Sequence, residues 1–284
     1  MTVTHQKLSK RFAAEVRGID IAAGVSAEDF AEVERLFNQH SVLVFRDQDI
    51  DDDQQADFSR RFGALEKTVI INEGGGTEIA IIANVHPETD EIIPPDDHRM
   101  VFNSGNEMWH SDSSFKAVPA TASLLSGREV PPTGADTEFA SMRAAYADLP
   151  AETKQRIEGL VAEHSILYSR SLIAPDLFNE EEADEVPPVR QAVVRENPVN
   201  GRKNFYVGSH ASHIEGMDIE EGRALIGELV EFATRPEYVF AHKWRPMDLV
   251  MWDNRCCMHR GRSWEKARYR RVMHRTTVAG IGPT

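Results

Sequence analysis

Cysteine is nearly absent from this chain: of 284 residues only Cys256 and Cys257 are cysteines, and they are neighbours. Adjacent cysteines are poorly placed for a structural disulfide, which argues against a bridged secreted scaffold and for a reducing, cytoplasmic setting. Basic charge is also short, with 32 Lys and Arg against 46 Asp and Glu and a net charge of −14. Nucleic acid and anionic membrane surfaces call for a basic footprint, so neither is an expected partner. No apolar run is long enough to suggest a membrane span, and residues 1–7 hold no apolar signal core. There is no internal repeat and no clear linker, and the length suits a single large catalytic domain over 1–284. Self-association into a homo-oligomer is left open.

What is present is patterned. Ser26 reads as the cap of an amphipathic helix to about residue 39, ahead of an apolar strand at 41–45, and 51–62 reads as a second helix. Further strands are expected at 79–84, 122–126, 189–195, 204–207, 238–244, 249–252 and 270–278, and helices at 142–149, 151–162 and 219–234. Strand-rich halves with helices packed outside suggest a jelly roll. The run Gly74-Gly75-Gly76 and the acidic, proline-bearing 87–97 suggest a mobile flap near 68–101; a second is expected near 169–188, where 179–185 suits a short solvated helix.

The chemistry concentrates in Trp109-His110-Ser111-Asp112-Ser113-Ser114-Phe115, answered downstream by Trp252-Asp253-Asn254-Arg255 and His259. Two imidazoles and one carboxylate on one face of a metal, with other positions open, form the triad of non-haem Fe(II) oxygenases. On an extended segment residues i and i+2 project to the same side, so His110 and Asp112 can reach one ion. The spacing alone is weak, because His213-Ile214-Glu215 offers a second match. Cys256 and Cys257, lying between Trp252 and His259, would suit zinc better than an O₂-activating iron and are read as packing residues.

A second cluster reads Arg268-Tyr269-Arg270-Arg271-Val272-Met273-His274-Arg275-Thr276-Thr277-Val278. On a strand, Arg271, Met273 and Arg275 share a face, and two planar guanidinium forks there suit carboxylates. A small dicarboxylate cosubstrate and a small anionic organic substrate are the natural ligands.

These segments, with Gly134-Ala135-Asp136-Thr137-Glu138-Phe139, Met142-Arg143-Ala144-Ala145-Tyr146 and His210-Ala211-Ser212-His213, resemble the taurine dioxygenase superfamily, and within it the 2,4-dichlorophenoxyacetate dioxygenase branch. The likeness runs in order from about Val42 to Gly280. It implies a mainly β fold with surrounding helices, a double-stranded β-helix of cupin-like jelly-roll type, and an Fe(II)- and 2-oxoglutarate-dependent dioxygenase. His110, Asp112 and His259 would hold the iron. Thr137 and Arg271 would hold the far carboxylate of 2-oxoglutarate, and Arg275, His210 and His213 would face the substrate, with no catalytic residue beyond the metal centre. The expected reaction consumes O₂ and 2-oxoglutarate, releases succinate and CO₂, and cleaves an aryloxyalkanoate to a phenol and an oxoacid. One departure is that 68–101 contains no lysine where the herbicide dioxygenases carry them, which bears on the substrate rather than the chemistry. A sulfonate or sulfate-ester dioxygenase is the nearest alternative, and a non-catalytic jelly-roll binding protein a more distant one.

Overall fold

The structure is a computed structural model and describes residues 3–68 and 76–282, with the backbone alone at Glu180 and Glu181. Its largest sheet has seven strands. In spatial order they are β1 (Thr4–Lys7), β2 (Ala14–Arg17), β3 (Val42–Phe45), β13 (Leu249–Asp253), β5 (Ala122–Glu129), β15 (Val272–Val278) and β4 (Ala80–Ala83). Among the described residues only β2 and β3 pair in parallel. A smaller sheet runs β12 (Val239–His242), β6 (Thr137–Ser141), β14 (Cys257–Gly261).

Period-two side-chain alternation explains why these sheets stack. Val42, Val44, Leu125, Val250, Trp252 and Met273 face the small sheet's Phe139 and Cys257 in one buried cluster. The intervening Leu43, Phe45, Leu124, Leu249 and Met251 face the other way, onto Val33, Leu36 and Phe37 of the helix Ala27–His40. That helix is capped by the Ser26 side chain, and its buried Val33, Leu36, Phe37 and His40 follow the helical repeat. The helix Asp52–Arg60 opens on a reciprocal capping box between Asp51 and Gln54. A third cluster joins the helices Met142–Asp148 and Ile219–Ala233 to a three-stranded sheet, β11 (Ala211–Ile214), β7 (Val161–His164), β8 (Val189–Ala192). The hairpin β9 (Val194–Glu196) and β10 (Lys203–Phe205) completes the strands. The result is a jelly-roll-type pair of sheets with helices outside. Among the described residues no helix is long and apolar enough to cross a membrane.

Several expectations need correction. The helix at 151–162 stops at Ile157, because Gly159 turns the chain through φ +77° and Val161–His164 joins a sheet. The strand at 189–195 breaks at Val193, whose N–H donates to Leu160 instead. β1, β2, β6, β7, β11 and β14 had no expected counterpart. Within the expected flap at 68–101, residues 69–75, including Gly74 and Gly75, lie outside the described residues. The rest contains β4, paired to β15, and the start of the helix His98–Ser104. The 169–188 stretch carries a short helix, Glu180–Asp184, opened by an Asn179–Glu182 capping box.

Candidate active site

Main-chain pairing places the two imidazoles. His110 and His259 exchange N–H···O bonds of 3.0 and 2.8 Å, so the Trp109-His110 segment extends the small sheet beside β14. Their ring centroids lie 4.2 Å apart. Asp112 reaches them differently from the strand alternation expected. The chain leaves the extended form after Ser111 and turns through Ser113 at φ +54°, which swings the carboxylate back towards both rings. Asp112 Oδ1 lies 3.9 Å from His110 Nε2, and Oδ2 lies 3.8 Å from His259 Nε2. One ligand atom from each of the three falls within 4.8 Å of the others, and all three residues are buried.

The carboxylate is held from every side. Its backbone N–H donates to Asn254 Oδ1 at 3.1 Å, Ser123 donates to Oδ2 at 2.7 Å, and Arg275 donates to Oδ1 at 2.7 Å. Asn254 closes the ring, donating to Ser123 at 2.9 Å while it accepts from Trp252 Nε1 at 2.9 Å. Burial opposes ionisation, yet the Arg275 charge, then the two neighbouring imidazoles and the Ser123 hydroxyl, outweigh it and hold the carboxyl well below the usual range. Burial also pushes both imidazoles below the ordinary histidine value, so they are neutral near pH 7. The His110 Nδ1 bond to the Met108 carbonyl, at 2.7 Å, requires a proton on Nδ1 and leaves the Nε2 lone pair free. Two neutral imidazoles and one ionised carboxylate form a donor set suited to Fe(II).

The two arginines expected on one strand face line separate, adjoining cavities, Arg271 standing just before β15 where its pairing with β5 shifts register. Arg275 lines a cavity with His110, Asp112 and His210. Arg271 lines an adjoining one with Asn84 and Trp264, its guanidinium carbon 5.3 Å from the Trp264 ring centre. It is 7% exposed, has no acidic partner among the described residues, and leaves Nε without a hydrogen bond. Burial alone lowers its pKa to about 10. A buried cation so placed fits a carboxylate ligand such as the far end of 2-oxoglutarate. Thr137 is buried on β6, its hydroxyl accepting from Trp244 Nε1 at 2.9 Å.

The two histidines expected at the substrate part company. His210 is buried against Phe115 and the His110 ring, with centroids 5.1 and 5.9 Å away. Ser169 gives its one proton to the Ile166 carbonyl, so it accepts from His210 Nδ1, leaving Nε2 unprotonated in the neutral ring. His213 is half-buried on β11, bonded to Ser212 and 3.7 Å from Glu163, and the structure does not bring it to the cavity. Glu215 of the competing motif is engaged with Arg190 at 2.5 Å. Cys256 and Cys257 are free and buried in the core, as packing residues.

Sequence reasoning missed Ser123, Asn106 and Arg170. Ser123 carries no local signal, since its role depends on β5 lying beside β13. Arg170 sits in the stretch read as the start of a flap, and only its neighbours Ile166 and Ser169, both buried, hinted at an inward face.

A taurine catabolism dioxygenase TauD, TfdA family model matches residues 4–277. The alpha-ketoglutarate-dependent 2,4-dichlorophenoxyacetate dioxygenase of Cupriavidus pinatubonensis is 43% identical over 283 residues, covering 98% of each chain. The (S)-phenoxypropionate/alpha-ketoglutarate-dioxygenase of Sphingobium herbicidovorans is 34% identical over 96% of this chain and 93% of its own. The crystal structure of AAD-2 in complex with Mn(II) and N-oxalylglycine superposes with a TM-score of 0.91 at 44% identity, covering 100% of this chain and 99% of that one. With matches that run almost from end to end over the sheets carrying His110, Asp112 and His259, this chain belongs to the TauD, TfdA family of dioxygenases.

Proposed function

We propose that this dioxygenase uses Fe(II), 2-oxoglutarate and O₂ to hydroxylate an aryloxyalkanoate at the carbon beside its ether oxygen, with 1–284 acting as one catalytic unit. The observation that carries the substrate class is the cavity wall. His110, Asp112 and Arg275 open onto the same space as Ile81, Ile93, Phe102, Phe115 and Ile166. An aromatic ring gains about 25 cal/mol for each Å² of apolar surface it loses to such a wall, and a bare amino sulfonate has little to bury. Relatives named for 2,4-dichlorophenoxyacetate and (S)-phenoxypropionate support the same class.

His110, Asp112 and His259 would hold the iron, and Arg271 with Thr137 the far carboxylate of 2-oxoglutarate. When bound, iron, cosubstrate and O₂ together supply the oxidation that hydroxylates the substrate carbon, with release of succinate and CO₂. The chain's part is position and electrostatics. Arg275 and Ser123 keep Asp112 ionised and aimed, while the Met108 carbonyl fixes the His110 tautomer. The apolar wall orients the ring and keeps water from the reacting carbon. Hydroxylation beside an ether oxygen yields a hemiacetal, which collapses to a phenol and an oxoacid.

The test is a panel of aryloxyacetates, aryloxypropionates, taurine and alkyl sulfates with Fe(II) and 2-oxoglutarate, following succinate and phenol together. Phenol released in step with succinate is the expected result. Faster coupled turnover of taurine or an alkyl sulfate than of every aryloxyalkanoate would overturn the substrate class and leave the cofactor chemistry standing.

A further inference from the structure

The cations around the cavity differ in what already engages them. Arg275 is bonded to Asp112, Lys116 to Glu66 at 2.5 Å, and Arg99 to Asp97 at 3.2 Å; Lys67 is exposed at the rim. Arg170 is different. It enters from the helix Ile166–Ser171, is 5% exposed, and has no acidic partner among the described residues. Its one side-chain hydrogen bond goes to Asn106 Oδ1 at 3.3 Å, and its Nε has no partner.

Two neighbours flank the guanidinium without neutralising it. Its carbon sits 4.7 Å from the centre of the Phe102 ring. It also packs so closely on Gly105 that a Cβ there would fall 2.1 Å from Nη1. With its flat surfaces covered by Phe102 and the Gly105 backbone, the N–H edges of the fork remain to be satisfied. A buried cation without an anion is costly, and a bidentate carboxylate is the ligand that such a fork recognises best. Asp112 does not fill this role, since Arg275 and Ser123 hold its two oxygens. Arg170 nonetheless lines the same cavity as His110, Asp112 and His210.

We propose that Arg170 is the substrate anchor: the buried guanidinium on Phe102 and Gly105 that receives the carboxylate of the organic acid. This rests on the dioxygenase reading above and assigns the two anions of the reaction to separate cations. Arg271 in the adjoining pocket serves the cosubstrate, Arg170 serves the substrate, and Arg275 is a positioning residue for Asp112. In an aryloxyacetate the reacting carbon lies between the carboxylate and the ether oxygen. A grip on the carboxylate therefore fixes that carbon one bond from the gripped group, while the ring extends along the apolar wall. The absence of lysine from 68–101 is then no obstacle, because the anion is met by the helix Ile166–Ser171, outside that segment.

Three variants test this: Arg170→Met, which keeps an apolar stem against Phe102; Arg170→Lys, which keeps the charge without the fork; and Gly105→Ala, whose methyl displaces the guanidinium and leaves the arginine in place. For Arg170→Met the KM of an aryloxyacetate should rise roughly 30-fold or more while that of 2-oxoglutarate stays within about threefold, as expected when one partner of a buried charge pair is removed. Arg170→Lys should recover part of the loss, and Gly105→Ala should fall on the same side as Arg170→Met. Direct calorimetric binding of the acid to protein loaded with Mn(II) and N-oxalylglycine should weaken in parallel, which reads the anchor without turnover. Changing the carboxylate to a carboxamide should harm the wild type strongly and Arg170→Met little. Unchanged acid affinity in Arg170→Met, or in Gly105→Ala should the former not fold, would overturn the proposal. So would a loss that falls on 2-oxoglutarate instead. If the wild type prefers a sulfonate or sulfate ester, the substrate class falls, and the same comparison run with that anion decides whether Arg170 is the anchor.

Discussion

Arg275 Nη1 donates to Asp112 Oδ1 at 2.7 Å, so the guanidinium that sequence position assigns to the substrate is already bonded to the carboxylate of the metal triad. Removing it takes away the charge that opposes the burial penalty on Asp112. Arg275→Gln should therefore weaken Fe(II) binding by roughly 10- to 100-fold, the usual cost of losing an outer partner of a metal ligand. The sign with pH follows. Without Arg275 the Asp112 carboxyl titrates at higher pH, so metal should be lost on acidification earlier than in the wild type. Metal titrations at several pH values check this, and identical curves for the two proteins would show that Arg275 does not tune the ligand.

The triad itself gives the sharpest contrast with a control on the competing motif. His110→Ala, Asp112→Ala and His259→Ala should each abolish coupled succinate formation in folded protein, because two ligands do not hold Fe(II) in an open site. Glu215→Ala removes only a partly exposed ion pair with Arg190, of the kind that contributes about 0–1 kcal/mol, and should keep its metal. Metal content and circular dichroism measured on the same samples decide between the two motifs. Iron lost from the Glu215 variant and kept in the Asp112 variant would reverse the assignment.

What the sequence made legible follows the range over which each signal acts. Capped amphipathic helices such as Ala27–His40 and apolar strands such as β3 and β13 announce themselves locally, and they came within a residue or two of the observed bounds. β14 did not, because Cys-Met-His-Arg-Gly has no alternation to read and is a strand only through its pairing with β6. His110, Asp112 and His259 were legible as a candidate donor set through the resemblance, and the structure brings them together. The geometry that joins them was not: the return of Asp112 depends on a left-handed Ser113, and its support on Ser123 and Asn254 from two other parts of the chain. His213 shows the opposite failure. The resemblance set it at the substrate, and strand register sends it to Glu163.

Arg271 and Thr137 should separate in size of effect. Arg271→Ala removes a buried cation that has no acidic partner among the described residues, so apparent 2-oxoglutarate binding should weaken by about 2 to 5 kcal/mol with substrate affinity little changed. Thr137→Val takes one neutral hydroxyl hydrogen bond from the ligand, a smaller loss of about 0.5 to 1.5 kcal/mol in binding, and separately strands Trp244 Nε1 at a cost in stability. Titrating 2-oxoglutarate against the anaerobic iron protein gives both numbers. A Thr137 effect equal to that of Arg271 would mean that the charge is not the main grip.

Acid stability should report on His164, which the metal site does not use. Its ring is buried, stacked on Tyr206 with 5.6 Å between centroids, and Nδ1 lies 3.1 Å from Ser114 Oγ. Nε2 has no partner, and burial, aided by the positive charge of Arg195, depresses the pKa to about 3. In the unfolded chain the same ring titrates near ~6.5. Between those values the unfolded state binds the extra proton, so the contribution is fully present above about pH 6.5 and is lost as pH falls towards 3, by up to about 1.4 kcal/mol for each pH unit. His164→Gln keeps a donor for Ser114 and cannot be protonated. Although Gln is also costly to bury, its penalty does not vary with pH, so the variant should be less stable near pH 7.5 and close the gap to the wild type as the solution is acidified. Urea midpoints for both proteins at pH 7.5, 6.0 and 5.0, measured without metal, test this directly; a gap that stays constant across the series would show that His164 is not a source of acid lability.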